Sequence, residues 1–222
     1  MKPAAPSPAP TRRVSLWLKI AYTGFLAVLI PTYWINYGPT NFLYFCDVAL
    51  LLTLVGLWRE DALLVSLVAI GILLPQALWC ADFFLHLCGG KMTGMTDYMF
   101  EENRSLFLRG LSLFHGWLPF LVLYLVRKLG YDRRALLGWT AICVALCLIA
   151  YFLLPAAGAV LPDPKTPRNV NYVFGLDDAT PQTLLPPLAY LGAWMAILIG
   201  GVFVPTHFLL KKLCVPASCQ SA

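Results

Sequence analysis

The chain has 222 residues, 59% of them hydrophobic and only 12% charged, with a mean hydropathy of +0.72. An ordinary soluble domain carries about a quarter charged residues, so a water-soluble fold is excluded. The formal net charge of +5 never gathers on one stretch, which excludes a nucleic-acid surface.

The opening Met1-Lys-Pro-Ala-Ala-Pro-Ser-Pro-Ala-Pro10 is proline-rich, and residues 1–13 read as a disordered tail. The apolar run near 14–36 follows. No small-residue cleavage site comes after it, so it reads as a retained helix rather than a signal peptide. Further apolar runs lie near 40–58, 62–88, 105–127, 135–157 and 185–210. Each supplies the roughly twenty residues that about 30 Å of hydrocarbon requires. The expected fold is therefore an all-α polytopic membrane protein, a bundle of six transmembrane helices over residues 14–213. Residues 214–222 form a second tail, and no room is left for a soluble domain.

The basic residues set the expected topology. Lys2, Arg12, Arg13, Lys19, Arg59, Arg127, Lys128, Arg133, Arg134, Lys211 and Lys212 all fall on one side of a six-span chain. Lys91, Arg104, Arg109, Lys165 and Arg168 fall on the other, offset by Asp97, Glu101, Glu102, Asp163, Asp177 and Asp178. The positive-inside rule then puts both termini in the cytoplasm. Two loops on the outer side, near 89–104 and 158–184, are long, mixed in polarity and suited to fold back as lids. The short basic-side loops favour a bacterial inner membrane.

Seven cysteines form no framework. Cys46, Cys80, Cys143 and Cys147 lie inside spans, and there is no Cys-x-x-Cys or zinc spacing, so neither disulfides nor a metal site is expected. His207 falls near the cytoplasmic end of the last span, which rules against a three-histidine metal centre with His86 and His115. No cofactor is expected.

The polar residues inside the spans share a level. Thr40, Tyr44 and Asp47 are spaced i, i+4, i+7 at the outer part of the second span, with Asn41 and Cys46 beside them. Gln76 lies near the middle of the third span, with Asp82 and His86 in its outer third. The dipeptide Pro75-Gln76 matches that of PQ-loop transporters but occurs once, without a pseudo-symmetric repeat. The fourth span brings Ser112 and His115 to the same half. A titratable ring inside a span marks a site by default. Pro119, four residues on, cannot donate to the His115 carbonyl, so the helix opens there. These groups imply an outward-facing polar cavity. Each also has a plain structural role available: Thr40 as a helix cap after Gly38-Pro39, Asp82 and His86 as a pair.

Three stretches carry a resemblance. Asn41-Phe-Leu-Tyr-Phe-Cys46-Asp47 resembles the second-helix segment of YwaF-like six-helix membrane proteins. His115-Gly-Trp-Leu-Pro, followed by Gly130-Tyr131, resembles their His-Gly helix, and Asn171-Tyr172-Val-Phe174 with Thr180-Pro181 resembles the segment before their last span. That group looks distantly similar to transmembrane lipid acyltransferases, which use a cysteine, and to androgen-induced membrane hydrolases, which use a threonine and a later histidine. The resemblance implies His115 as base, with Cys46 or Thr40 as nucleophile. Tyr44 replaces the histidine of the family pattern, and Cys46 points away from the Thr40–Asp47 stripe on an ideal helix. A histidine can take the proton of a hydroxyl or thiol, Asp47 or Asp82 can orient it, and Asn41 or Asn171 can donate to an oxyanion. The expected function is an intramembrane lipid hydrolase or acyltransferase, with Tyr172 among the lid residues that meet substrate. A non-enzymatic binder or transporter of a lipid or small molecule stands beside it, as does an assembly factor of a membrane complex. Membrane lipids are the expected partners.

Overall fold

The computed structural model describes residues 14–102, 104–163 and 165–214, and every regular element among them is helical. The expected tail over 1–13 and most of that over 214–222 lie outside the described residues. Five stretches are long and apolar enough to cross a membrane: Leu16–Tyr37, Ala62–Leu87, Leu106–Leu129, Ala135–Leu153 and Pro187–Leu213. Phe84, Phe120, Leu137 and Phe152 stand mostly bare around the outside of the bundle. So much exposed apolar surface is tolerated against lipid, not water, and marks a membrane protein.

The helices are α1 (Leu16–Tyr37), α2 (Phe45–Arg59), α3 (Ala62–Leu87), α4 (Leu106–Ser112), α5 (Phe114–Leu129), α6 (Ala135–Leu153), α7 (Pro187–Ile197) and α8 (Val204–Leu213). The expected second span is the irregular one. Gly38, at φ 78°, turns the chain out of α1, Pro39–Leu43 makes a short 3-10 turn, and Tyr44 is extended before α2 begins. Only 15 residues of that run are α-helical. The fourth run is interrupted at Leu113, between α4 and α5, and the last carries a π-helical turn over Leu198–Phe203.

α3 is the central helix. Some 56% of its apolar window is buried, against 28% for α1 and 17% for the α7–α8 run. It packs on α2, α5 and α6, through Val65, Val68, Ala69, Ile70 and Ile72. Gly71 permits the close approach to α6, because a Cβ there would overlap the indole of Trp139, the largest fully buried side chain.

The two ends differ. At the basic end, Glu60 accepts from Lys19 Nζ at 2.7 Å and from the Val14 amide at 3.2 Å, which fixes α1 antiparallel to α2. Asp61 caps α3 by accepting from the Leu63 and Leu64 amides. His207 lies here, its Nδ1 2.6 Å from the Tyr131 hydroxyl and far along the bundle from His115. The long loops, 88–105 and 154–186, close the opposite end. The six described cysteines are free.

Candidate functional site

Both long loops are tied into the bundle rather than draped over it. Asp82 is buried near the end of α3 and accepts four hydrogen bonds from the first loop. They come from the Met92 amide at 3.2 Å, Thr93 at 2.7 Å, Thr96 at 3.1 Å and the Thr96 hydroxyl at 2.7 Å. Both carboxylate oxygens are taken up, so Asp82 is the anchor of that loop. It does not pair with His86. That ring stacks on Phe100, 3.8 Å between centroids, and faces Asp97 across 3.6 Å, while Lys91 pairs with the same aspartate.

The second loop is held by asparagines. Asn169 is fully buried; its Nδ2 donates to the Gly175 carbonyl at 2.9 Å and its Oδ1 accepts from the Phe174 amide at 2.9 Å. Asn169, Asn171 and Tyr172 all adopt positive φ, between 49° and 61°, which this side-chain bonding sustains. Asn171 then latches the loop onto the start of α2. Its Oδ1 accepts from the Phe45 amide at 3.0 Å and its Nδ2 donates to the Leu43 carbonyl at 2.9 Å. The broken stretch before α2 leaves those two backbone groups without helical partners, and the amide side chain supplies both. The Trp194 indole donates to the Asn171 carbonyl at 2.9 Å, and the Tyr190 hydroxyl to that of Tyr172 at 3.3 Å, so α7 braces the latch. Asn171→Ala should cost about 2 kcal/mol, since it strands two partly buried backbone groups. Hydrogen exchange at the Phe45 amide would report it, and protection unchanged from wild type would refute the latch.

The irregularity at Tyr44 also corrects the expected Thr40–Tyr44–Asp47 face. With Thr40 in a 3-10 turn and Tyr44 extended, helical spacing does not hold, and the Tyr44 hydroxyl leaves to donate to the Arg168 carbonyl at 3.4 Å. Thr40 caps no α-helix. Asp47, in the first turn of α2, is only 3% exposed. Its Oδ2 accepts from Asn41 Nδ2 at 3.3 Å and from the Cys46 thiol at 3.6 Å, so Cys46 meets Asp47 despite its position off the stripe. Its Oδ1 has no partner, nor does the buried Thr40 hydroxyl.

Gln76 shares this level. Gly56 touches Val65 across the α2–α3 hairpin, and nine residues onward in opposite directions lie Asp47 and Leu74, half a turn from Gln76. Gln76 is 2% exposed, and both its amide oxygen and its nitrogen are unpartnered. One turn further, Trp79 stacks on His115, 4.8 Å between centroids, with its own Nε1 unpartnered. Across from them the Tyr33 hydroxyl lies 2.8 Å from Ser112 Oγ, and Tyr98 of the first loop reaches the Trp79 and Ser112 side chains. Burial pushes the Tyr98 and Tyr172 phenols above their ordinary range, so both stay protonated.

His115 sits just past the Leu113 break. The break frees the Ser112 carbonyl, which lies 2.8 Å from His115 Nδ1. A carbonyl can only accept, so Nδ1 carries the proton and Nε2 is left as the free ring atom. The carbonyl of His115 itself, opened by Pro119, takes the Cys80 thiol at 3.8 Å. The ring is held by Trp79 on one side and Phe114 on the other.

Asn41, Cys46 and Asp47, joined through Tyr33 and Tyr98 to Ser112, thus make one buried polar cluster at the loop end, the chamber, with Thr40, Gln76 and the Trp79–His115 stack beside it. Tyr44, Asp82, Asn171 and Tyr172 hold its walls, and His86 stands outside. No hydrogen bond joins His115 to Thr40, Cys46 or Asp47 among the described residues. Tyr33, Trp79, Tyr98 and Asn169 complete the site without having been singled out beforehand. For Tyr33 the signal was present: Tyr22, Leu26, Leu29 and Tyr33 recur on the buried face of α1. No family model, curated protein or solved structure matches this chain.

Proposed function

We propose that this is a six-span protein of a bacterial cytoplasmic membrane, with both termini in the cytoplasm, whose loop-end chamber binds the polar group of a lipid or small molecule. The observation that carries the binding reading is a group of orphaned polar atoms at this level: Thr40 Oγ1, Asp47 Oδ1 and both ends of the Gln76 amide. Each such atom costs about 1–3 kcal/mol when buried unpaired. Native interiors tolerate few, and a convergent group fits a site that a guest completes.

The six-span topology rests on the second run. Fifteen α-helical residues rise roughly 22 Å and the 3-10 turn adds roughly 10 Å, together about one hydrocarbon thickness. The antiparallel contact of α1 with α2 through Lys19 and Glu60 agrees.

The test is Gln76→Leu in protein reconstituted with native lipid extract. Leucine fills a similar volume without polar atoms, so stability should hold or rise while retention of the copurifying molecule, followed by native mass spectrometry, falls at least tenfold. Unaltered retention, or no molecule retained by wild type, would end the binding reading.

Acyl transfer or lipid hydrolysis is the second reading, favoured by the Cys46 thiol donating to the Asp47 carboxylate. A thiol beside a proton acceptor is the start of a nucleophile, and His115 Nε2 is the nearby free base. Turnover of an acyl lipid by pure protein, lost in Cys46→Ala and in His115→Ala but kept in His207→Ala, would move the assignment to it. Loss of one general base is worth on the order of 10²–10⁴ in rate.

A further inference from the structure

Resting on the binding reading above, we infer that the chamber selects a cationic amine, an ammonium headgroup or a free organic ammonium, and that Asp47 is the group that selects it. The first observation is charge. Asp47 is almost wholly buried, one of its oxygens accepts nothing, and among the described residues no lysine, arginine or histidine pairs with it. Arg104 is engaged by Glu101 and the Tyr37 hydroxyl, Arg109 donates to the Met99 carbonyl, and Lys19 pairs with Glu60 at the far end. A carboxylate inside a membrane protein is expensive without a counter-charge, and a guest cation supplies one.

The second observation is the wall. Tyr33 and Tyr37, in edge-to-face contact at 5.2 Å, lie within electrostatic range of Asp47. Aromatic faces attract cations, and the chamber mouth already shows this: the Arg104 guanidinium sits 5.3 Å from the centre of the Tyr37 ring and 5.2 Å from that of Tyr98. Asp47 Oδ1, Gln76 Oε1 and the Thr40 hydroxyl are acceptors without a partner, and an ammonium brings N–H donors and no acceptor of its own. A phosphate or carboxylate placed there would meet Asp47 with like charge at low dielectric. The chemistry favours ammonium over anion.

The experiment uses Trp79 fluorescence in detergent-solubilised and nanodisc-embedded full-length protein, with the other six tryptophans as background corrected by Trp79→Phe. The probes are ethanolamine as the free amine, phosphatidylethanolamine as the lipid amine, and glycerol and phosphatidylglycerol as the uncharged and anionic counterparts. Wild type should bind an amine probe at least tenfold tighter than its counterpart; saturation by ethanolamine identifies a free amine, and by phosphatidylethanolamine alone a lipid. Asp47→Asn should erase that preference while still binding the uncharged probe, which shows that it folds. Asp47→Glu should restore it. Equal binding of amine and counterpart by wild type, or an unchanged preference in Asp47→Asn, overturns the ammonium assignment and leaves the chamber standing. Binding of none of the four probes overturns both.

Discussion

Gly71→Ala should destabilise the protein by about 3 kcal/mol or more, the upper range for forcing an extra methyl into a packed core. The added Cβ would overlap the Trp139 indole, which is itself fully buried. Backbone cannot yield either, since α3 is packed by α2, α5 and α6 at once. The companion variant Trp139→Leu removes the obstacle, so the double variant should be more stable than Gly71→Ala alone. Thermal unfolding in one detergent, scored for all four proteins, reads the cycle. Additive losses would show that the two residues do not share the contact.

Asp82→Ala should release the first loop with a loss on the order of 3–5 kcal/mol. One truncation strands the Met92, Thr93 and Thr96 amides together, and hydrogen bonds to a charged acceptor are each worth about 1.5–3 kcal/mol. Limited proteolysis should then cut within 91–97, where wild type resists. Because Tyr98 follows directly and reaches Trp79 and Ser112, the chamber should open in the same variant. Asp82→Asn should do nearly as much harm, because its amide nitrogen would face donors on one side. A loop as protease-resistant in Asp82→Ala as in wild type would show that the anchor lies elsewhere.

What was legible in the sequence was set by period and hydropathy. Apolar runs gave the long helices within a few residues, and the interior placement of Asp47, Gln76 and Asp82 followed from the cost of turning such groups to lipid. What was not legible depended on backbone breaks. Tyr44 fell on the wrong face because the spacing argument assumed an unbroken helix through 40–47. Asp82 and His86, one turn apart, look like a pair in sequence, yet the loop amides outcompete the imidazole for the carboxylate. Tyr98 and Asn169 lie in loops, where no periodicity tells a wall from a connector.

The Asn171 latch has a consequence for biosynthesis. The groups it satisfies, the Phe45 amide and the Leu43 carbonyl, are made early, whereas Asn171 is synthesised 126 residues after Phe45. Through the making of α3, α4, α5 and α6, the start of α2 is therefore an unfinished edge. Closure waits for the second loop, and α7 then seals it through Tyr190 and Trp194. The chamber is thus a product of the last quarter of translation, and a chain halted before residue 169 lacks the side chain that closes it.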